Sequence, residues 1–207
     1  MTIYIVNPNS SQHVTDGIDH AVDLMRATSP VPIVARTLAE GPPGIETQAH
    51  VDGVVGPMLA HCAALEDKAS AFVVACFSDP GLAALREQSA QPVLGIAEAA
   101  VLTAMTLGQR FGIISILRRS IPRHMRYLGA MGVMDRLAGD ETRTFERLKT
   151  VGTSLRDDAG ADVLILGCAG MTAFRGELET TLGVPVIEPC QAATAMAIGR
   201  VALQHTR

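Results

Sequence analysis

The sequence predicts an α/β protein of two similar lobes, each a mainly parallel sheet flanked by helices, and three observations carry that reading. A short apolar run ending on a cysteine, Ala71-Phe-Val-Val-Ala-Cys76, recurs as Asp162-Val-Leu-Ile-Leu-Gly-Cys168. Small, turn-forming residues follow each copy and helix-like sequence follows those, which is the pattern of a buried parallel strand, a tight turn and a helix. The two copies stay in step downstream, where Pro92-Val-Leu-Gly-Ile-Ala-Glu-Ala-Ala100 aligns with Pro185-Val-Ile-Glu-Pro-Cys-Gln-Ala-Ala193. The expected division is a first lobe over residues 1–97, joined by a returning C-terminal helix over 190–207, and a shortened second lobe over 98–189.

Thr2-Ile-Tyr-Ile-Val6 reads as a strand from its β-branched and aromatic residues, and it runs into the polar loop Asn7-Pro-Asn-Ser-Ser11. Ligands of open parallel sheets bind at strand carboxyl ends, so Asn7, Asn9 and Ser10 are candidate contacts. The alternative is a plain strand-to-helix turn with Ser10 or Ser11 as N-cap. Ile18, Ala21, Val22 and Met25 form the apolar stripe of a first helix, residues 31–35 a second strand, and Gly41-Pro-Pro-Gly44 a loop. Residues 46–69 are helical in pattern, with a break near Gly56-Pro57. After the first cysteine strand, Asp79-Pro80 has the signature of an N-cap with proline at the first helical position. It would open a helix through Leu82, Leu85 and Arg86 and set Cys76 near the positive end. Residues 93–96 form a fourth strand, and Glu98 begins a helix to about Leu107.

Residues 111–116 restart the pattern and match residues 3–6, which makes Ser115 the counterpart of Asn7 and a further candidate contact. The stretch from Ser115 to Cys168 is shorter than that from Asn7 to Cys76. The shortage falls where residues 31–35 should have a counterpart, so the second sheet is expected to be smaller or differently edged, with residues 132–140 not forming a full inner strand. A helix over residues 148–158, the Cys168 strand, a helix around Leu178, a strand over residues 184–188 and a helix from about Gln191 complete the chain.

Apolar residues make up 48% of the chain and charged residues 18%, far from the composition of disorder, and an oligomer would hide part of the apolar surface. The net charge of −4 leaves no basic footprint for nucleic acid, although Arg118, Arg119, Arg123 and Arg126 cluster locally. No apolar run approaches the roughly 20 residues of a membrane span. The four cysteines lack the close-set framework of a secreted domain, and no charged and apolar leader precedes the first strand. The expected setting is therefore the reducing cytoplasm, with free thiols and a small-molecule substrate. Without H-x-x-x-H or C-x-x-C spacing, no metal site is expected.

A lone cysteine after an apolar run is usually a small buried hydrophobe. Packing alone does not ask for a thiol at the same place in both halves. If the halves face each other about a pseudo-two-fold axis, Cys76 and Cys168 approach one cleft from opposite sides. A thiolate on one face can then take a proton from a carbon while a thiol on the other returns one, inverting the centre without a cofactor. A helix N-terminus is one way to lower a thiol pKa from about 8.5. Backbone N–H groups in the turns after each cysteine, with Ser78 and Thr172, can hold the enolate oxygen. Cys62 lies within a helical stretch and reads as packing, and Cys190 stands where the first half has Ala97 and reads as structural. Glu98 is either a helix N-terminal charge or a group that orients a ligand.

Together, Ile5-Val-Asn-Pro-Asn-Ser10, Gly41-Pro-Pro-Gly-Ile-Glu46, Ala75-Cys-Phe-Ser-Asp-Pro-Gly-Leu82, Pro92-Val-Leu-Gly-Ile-Ala-Glu-Ala-Ala100 and Leu166-Gly-Cys-Ala-Gly-Met171 resemble the hydantoin and allantoin racemases of the aspartate/glutamate racemase superfamily. The resemblance covers most of the chain. It implies two flavodoxin-like lobes, a cleft between them, cofactor-independent proton transfer, and Cys76 and Cys168 as the acid/base pair. It also implies that Asn7 and the turns after each cysteine, Phe77, Ser78 and Asp79 in one and Ala169 and Gly170 in the other, touch the ligand. Between Arg119 and Asp158 no motif matches the family. Three other readings stay open: an arylmalonate-decarboxylase-like enzyme, which would keep only the second cysteine; a maleate-isomerase-like enzyme with a cysteine nucleophile; and a non-catalytic module that closes on a small metabolite.

Overall fold

In the computed structural model, which describes residues 1–142 and 148–203, helices separate every pair of consecutive strands, as parallel pairing requires. The first lobe runs β1 (Thr2–Asn7), α1 (Gln12–Ala21), α2 (Asp23–Arg26), β2 (Ile33–Thr37), α3 (Gln48–Gly53), α4 (Val55–Ala63), β3 (Ala69–Val74), α5 (Leu82–Gln88), β4 (Val93–Gly95) and α6 (Ile96–Leu107). The second runs β5 (Phe111–Ser115), α7 (Ile121–Met131), β6 (Leu137–Thr142), α8 (Leu148–Asp157), β7 (Val163–Leu166), α9 (Arg175–Leu182), β8 (Val186–Ile187) and α10 (Pro189–Ala202). Among the described residues each lobe holds a four-stranded parallel sheet, in the orders β2-β1-β3-β4 and β6-β5-β7-β8.

The two sheets therefore have equal strand counts, and the expectation of a reduced second sheet is wrong. Residues 137–142 pair with β5 along its whole length, Gly112 against Gly139 and Ser115 against Thr142, as β2 pairs with β1. The missing length lies mainly in the crossover after this edge strand. Thr37 to Ala69 accommodates α3, α4 and a 3-10 turn over Glu66–Lys68, whereas Thr142 to Val163 includes the single described helix α8. A parallel edge strand needs only enough chain to return, so helices can be lost without losing a strand.

Local details sharpen two further readings. The break in the helical stretch before β3 falls at Val54, two residues ahead of Gly56-Pro57. Pro57 sits in the first turn of α4, where a missing N–H costs nothing. Ser11, not Ser10, caps α1, its side chain accepting from the N–H of Val14 at 3.4 Å.

Each sheet has an outer core of its own, centred on Phe72 and Met58 in the first lobe and on Leu155 and Leu164 in the second. A third core is shared. Ile5 and Val73 from the first sheet meet Ile113 and Ile165 from the second around the buried alanines of α6 and α10. Small side chains let these two helices lie close against both sheets. Helix α10 packs on α6 and returns onto β3 and β4. Residues 204–207, over which that helix is expected to continue, lie outside the described residues.

Candidate active site

Each cysteine leaves its sheet at the last rung of the ladder. Ala75 donates its N–H to Val6 O at 2.9 Å and Gly167 donates to Ile114 O at 2.9 Å, and the following residues are Cys76 and Cys168. Gly167 has to be glycine for this approach, since a Cβ there would meet Ile114 O at 2.9 Å. The result is that both half-buried thiols line one cavity of about 220 Å³ between the lobes. Asn9, Phe77 and Ser78 stand on its first-lobe wall, and Ala169 and Gly170 on its second-lobe wall.

The turns differ from the expected strand-turn-helix pattern. After Cys76 the chain closes a turn in which Asp79 donates its N–H to Cys76 O at 2.9 Å, and α5 starts only at Leu82 with left-handed Gly81 as its cap. Asp79 does not cap α5. At φ 42°, a conformation Asp tolerates better than most residues, it turns its carboxylate inward to cap α6 instead. It accepts from the N–H groups of Ala97 and Glu98 at 3.0 and 2.9 Å and from the Tyr127 hydroxyl at 2.6 Å. Gly95 makes room for it, because a Cβ there would meet the carboxylate at 2.3 Å. In the second lobe the residue aligned with Gly95 is Glu188, whose own carboxylate caps α10 through the Gln191 N–H at 2.7 Å. Cys168 directly precedes a 3-10 helix over Ala169–Phe174, and its sulfur accepts from the Gly170 N–H at 3.4 Å.

These surroundings raise both thiols instead of lowering them. Burial pushes Cys76 up to about 12, opposed by the Ser78 backbone N–H and finally by the Arg123 charge, while Cys168 and Asp79 add to the rise. Burial also raises Cys168, with the Gly170 N–H opposing and Glu188 adding. The backbone donors are present, but desolvation by burial outweighs them. Cys62 and Cys190 are buried in α4 and α10 and are not among the residues that line this cavity.

Several anticipated ligand contacts are structural neighbours of the cavity and do not line it. Asn7 is fully buried and holds the loop together, donating to Asn9 Oδ1 at 3.1 Å and Thr15 Oγ1 at 3.0 Å. Ser10 ties that loop to the next through its N–H on Pro42 O at 3.0 Å. The Thr172 hydroxyl donates to Ala169 O at 3.3 Å. Ser115 lies behind the wall, 3.2 Å from His124 Nδ1, and its hydroxyl donates to Asp140.

Sequence reasoning missed Arg123 and His124, which do line the cavity. His124 Nδ1 meets Asp140 Oδ2 at 2.7 Å, and its ring stands edge-on to Phe77 with centroids 5.2 Å apart. Both residues come from the start of α7, just past the carboxyl end of β5, the place in the second lobe where the first has its Asn7–Ser11 loop. The arginine cluster at that position was the available signal. Ile45 and Glu46 also reach the wall, with Glu46 ion-paired to Arg119 across the lobes. A larger groove of about 720 Å³ runs between α6 and α10 beside the Arg86–Glu98 ion pair, and neither Cys76 nor Cys168 lines it. Among the described residues no group of three or more His, Cys, Asp or Glu is placed to hold a metal ion, and no helix is long and apolar enough to cross a membrane.

Comparison with known proteins places this geometry in context. The family pattern described as Asp/Glu/Hydantoin racemase matches residues 3–197. A hydantoin racemase of Paenarthrobacter aurescens is 35% identical, with 99% of this chain and 93% of that protein aligned. The solved allantoin racemase of Klebsiella pneumoniae superposes with a TM-score of 0.86 at 30% identity, covering 100% of this chain and 89% of that one. The allantoin racemase of Pseudomonas fluorescens gives 0.89 at 25% identity, covering 100% and 93%.

Proposed function

The chain belongs to the Asp/Glu/hydantoin racemase family, and on that premise we propose that it inverts a carbon α to a carbonyl in a hydantoin-type or allantoin-like substrate by proton transfer between two cysteines. The observation that carries this reading is the arrival of Cys76 and Cys168, from equivalent strand ends of opposite lobes, at one cavity. One thiolate removes the proton from its side of the carbon. The C–H electron pair passes into the enolate, and the other thiol protonates the opposite face, leaving its sulfur as the new thiolate. Only the chain's own groups take part. All four cysteines are free, which fits a reducing compartment.

The test is a screen of single enantiomers of 5-substituted hydantoins and of allantoin, followed by polarimetry and by deuterium incorporation from heavy water. Loss of optical rotation with label at the α carbon is expected for at least one of them. Retention of both rotation and the α proton in all of them would overturn the reading.

The raised thiols also set the pH dependence. A thiol with a raised pKa is protonated at neutral pH, so the reactive one-thiolate form grows as pH rises, and it is lost again when the second thiol ionises. The expected kcat/KM profile is a bell displaced to the alkaline side, its acid limb climbing about tenfold per pH unit and belonging to the coupled pair. A flat profile between about pH 6 and 9 would count against thiol acid/base chemistry, because an ordinary thiol near 8.5 already titrates there.

A further inference from the structure

Arg123 has no part in moving the proton, yet it stands on the wall of the cavity that holds both thiols. Its Nε donates to Ser78 Oγ at 2.9 Å, two residues from Cys76, and its Nη2 donates to Ser120 Oγ at 3.1 Å. Both partners are neutral hydroxyls. The neighbouring arginines are engaged otherwise, Arg119 by the Glu46 carboxylate and Arg126 by the Gln48 side chain at 2.9 Å. Among the described residues no carboxylate pairs with Arg123, although it is half-buried. A guanidinium drawn out of water without a counter-charge is costly to keep. Burial duly pushes its pKa down, while the nearby Cys76 pulls it back up.

Resting on the racemase reading, we propose that Arg123 is a further substrate-binding residue, and that its guanidinium holds the carbonyl oxygen on which negative charge develops as the α proton leaves. The charge balance asks for such a group. Before transfer the negative charge sits on sulfur; once the thiolate has taken the proton, the electrons of the C–H bond form the enolate and the charge sits on oxygen. A fixed cation on the cavity wall beside Cys76 attracts the charge in both states. Two hydroxyls hold the planar fork in place, so no reorganisation is needed when the charge moves.

Three variants test this on a hydantoin that the wild type racemises. Arg123→Gln should lower kcat about 10²- to 10³-fold with a smaller change in KM, the signature of an interaction made in the transition state. Arg123→Lys, which keeps the charge but loses the fork, should sit about tenfold below wild type. Arg123→Ala should recover activity saturably with millimolar guanidinium chloride and not with sodium chloride at equal ionic strength. A kcat for Arg123→Gln within about threefold of wild type overturns the proposal, as does a loss in Arg123→Ala that guanidinium does not restore. Should the neutral variants unfold, Arg123→Lys decides alone: a tenfold loss at unchanged Tm supports the role, and wild-type kcat refutes it. Cys76→Ser and Cys168→Ser measured on the same substrate separate the two readings. If those keep racemising, the two-thiol mechanism falls; if they stop while Arg123→Gln does not, only the role of Arg123 falls.

Discussion

Cys76→Ser and Cys168→Ser should each abolish racemisation, by at least about a thousandfold, while each still exchanges the α proton of one enantiomer with deuterium oxide. Serine nearly preserves the shape of either side chain, but its hydroxyl is far too weak an acid or base at neutral pH. The surviving thiol remains on its own face of the cavity. It can remove the proton there and return deuterium to the same side. Label should therefore enter without inversion, and the two variants should choose opposite enantiomers. Chiral chromatography with mass detection reads both outcomes at once. Label entering the same enantiomer in both variants, or near wild-type racemisation in either, would move a single-cysteine or nucleophilic mechanism ahead.

Asp79→Asn should destabilise the fold by about 1–3 kcal/mol at pH 7. The carboxylate is buried and accepts from two α6 N–H groups and from Tyr127 of α7, so it ties the Cys76 turn to both lobes. Asparagine tolerates the left-handed backbone at this position but offers one acceptor oxygen, which leaves at least one buried donor facing an amide NH₂. The pH dependence has a definite sign. Burial raises the Asp79 pKa from 3.8 to about 6, against the pull of the Tyr127 hydroxyl. The proton-linked part of its contribution is thus full below about pH 4 and lost as pH rises through 6. The deficit of the variant should consequently grow by about 1 kcal/mol between pH 7 and pH 5. Urea titrations of both proteins at the two pH values measure it, and an equal deficit at both would show that this carboxylate does not titrate as described.

What the residues reveal beforehand, and what they hide, follows from how local each determinant is. The strands leading to Cys76 and Cys168 are unbroken apolar runs buried on both faces, and nothing but a central parallel strand explains them. The edge strand over 137–142 reads Leu-Ala-Gly-Asp-Glu-Thr, without a β-branched run. Its pairing comes from the neighbouring β5, and its Asp140 serves His124, so its pattern is that of a partly polar edge. Asp79-Pro80 has a faithful local capping signature, but a more distant helix end wins the carboxylate. That competition is decided by Gly95 and Tyr127, positions no local window contains. The arginine cluster hints at Arg123, but neither it nor His124 can be assigned to a site from the sequence for the same reason: only the meeting of α7 with the Cys76 turn gives them a cavity to face.

The two ways of closing a helix end, with Asp79 opposite Gly95 in one lobe and Glu188 in the aligned position of the other, bear on whether the lobes are interchangeable modules. Each pair is a matched set. A glutamate grafted onto position 95 would collide with the Asp79 carboxylate, and a glycine at 188 would strip α10 of its cap with no aspartate to replace it, since Met171 is the aligned residue there. Any exchange of strand ends between the halves must carry the cysteine turn along with it. The internal symmetry that brings two thiols to one cavity is thus maintained at the sulfur atoms while the scaffolding behind them has diverged beyond simple substitution.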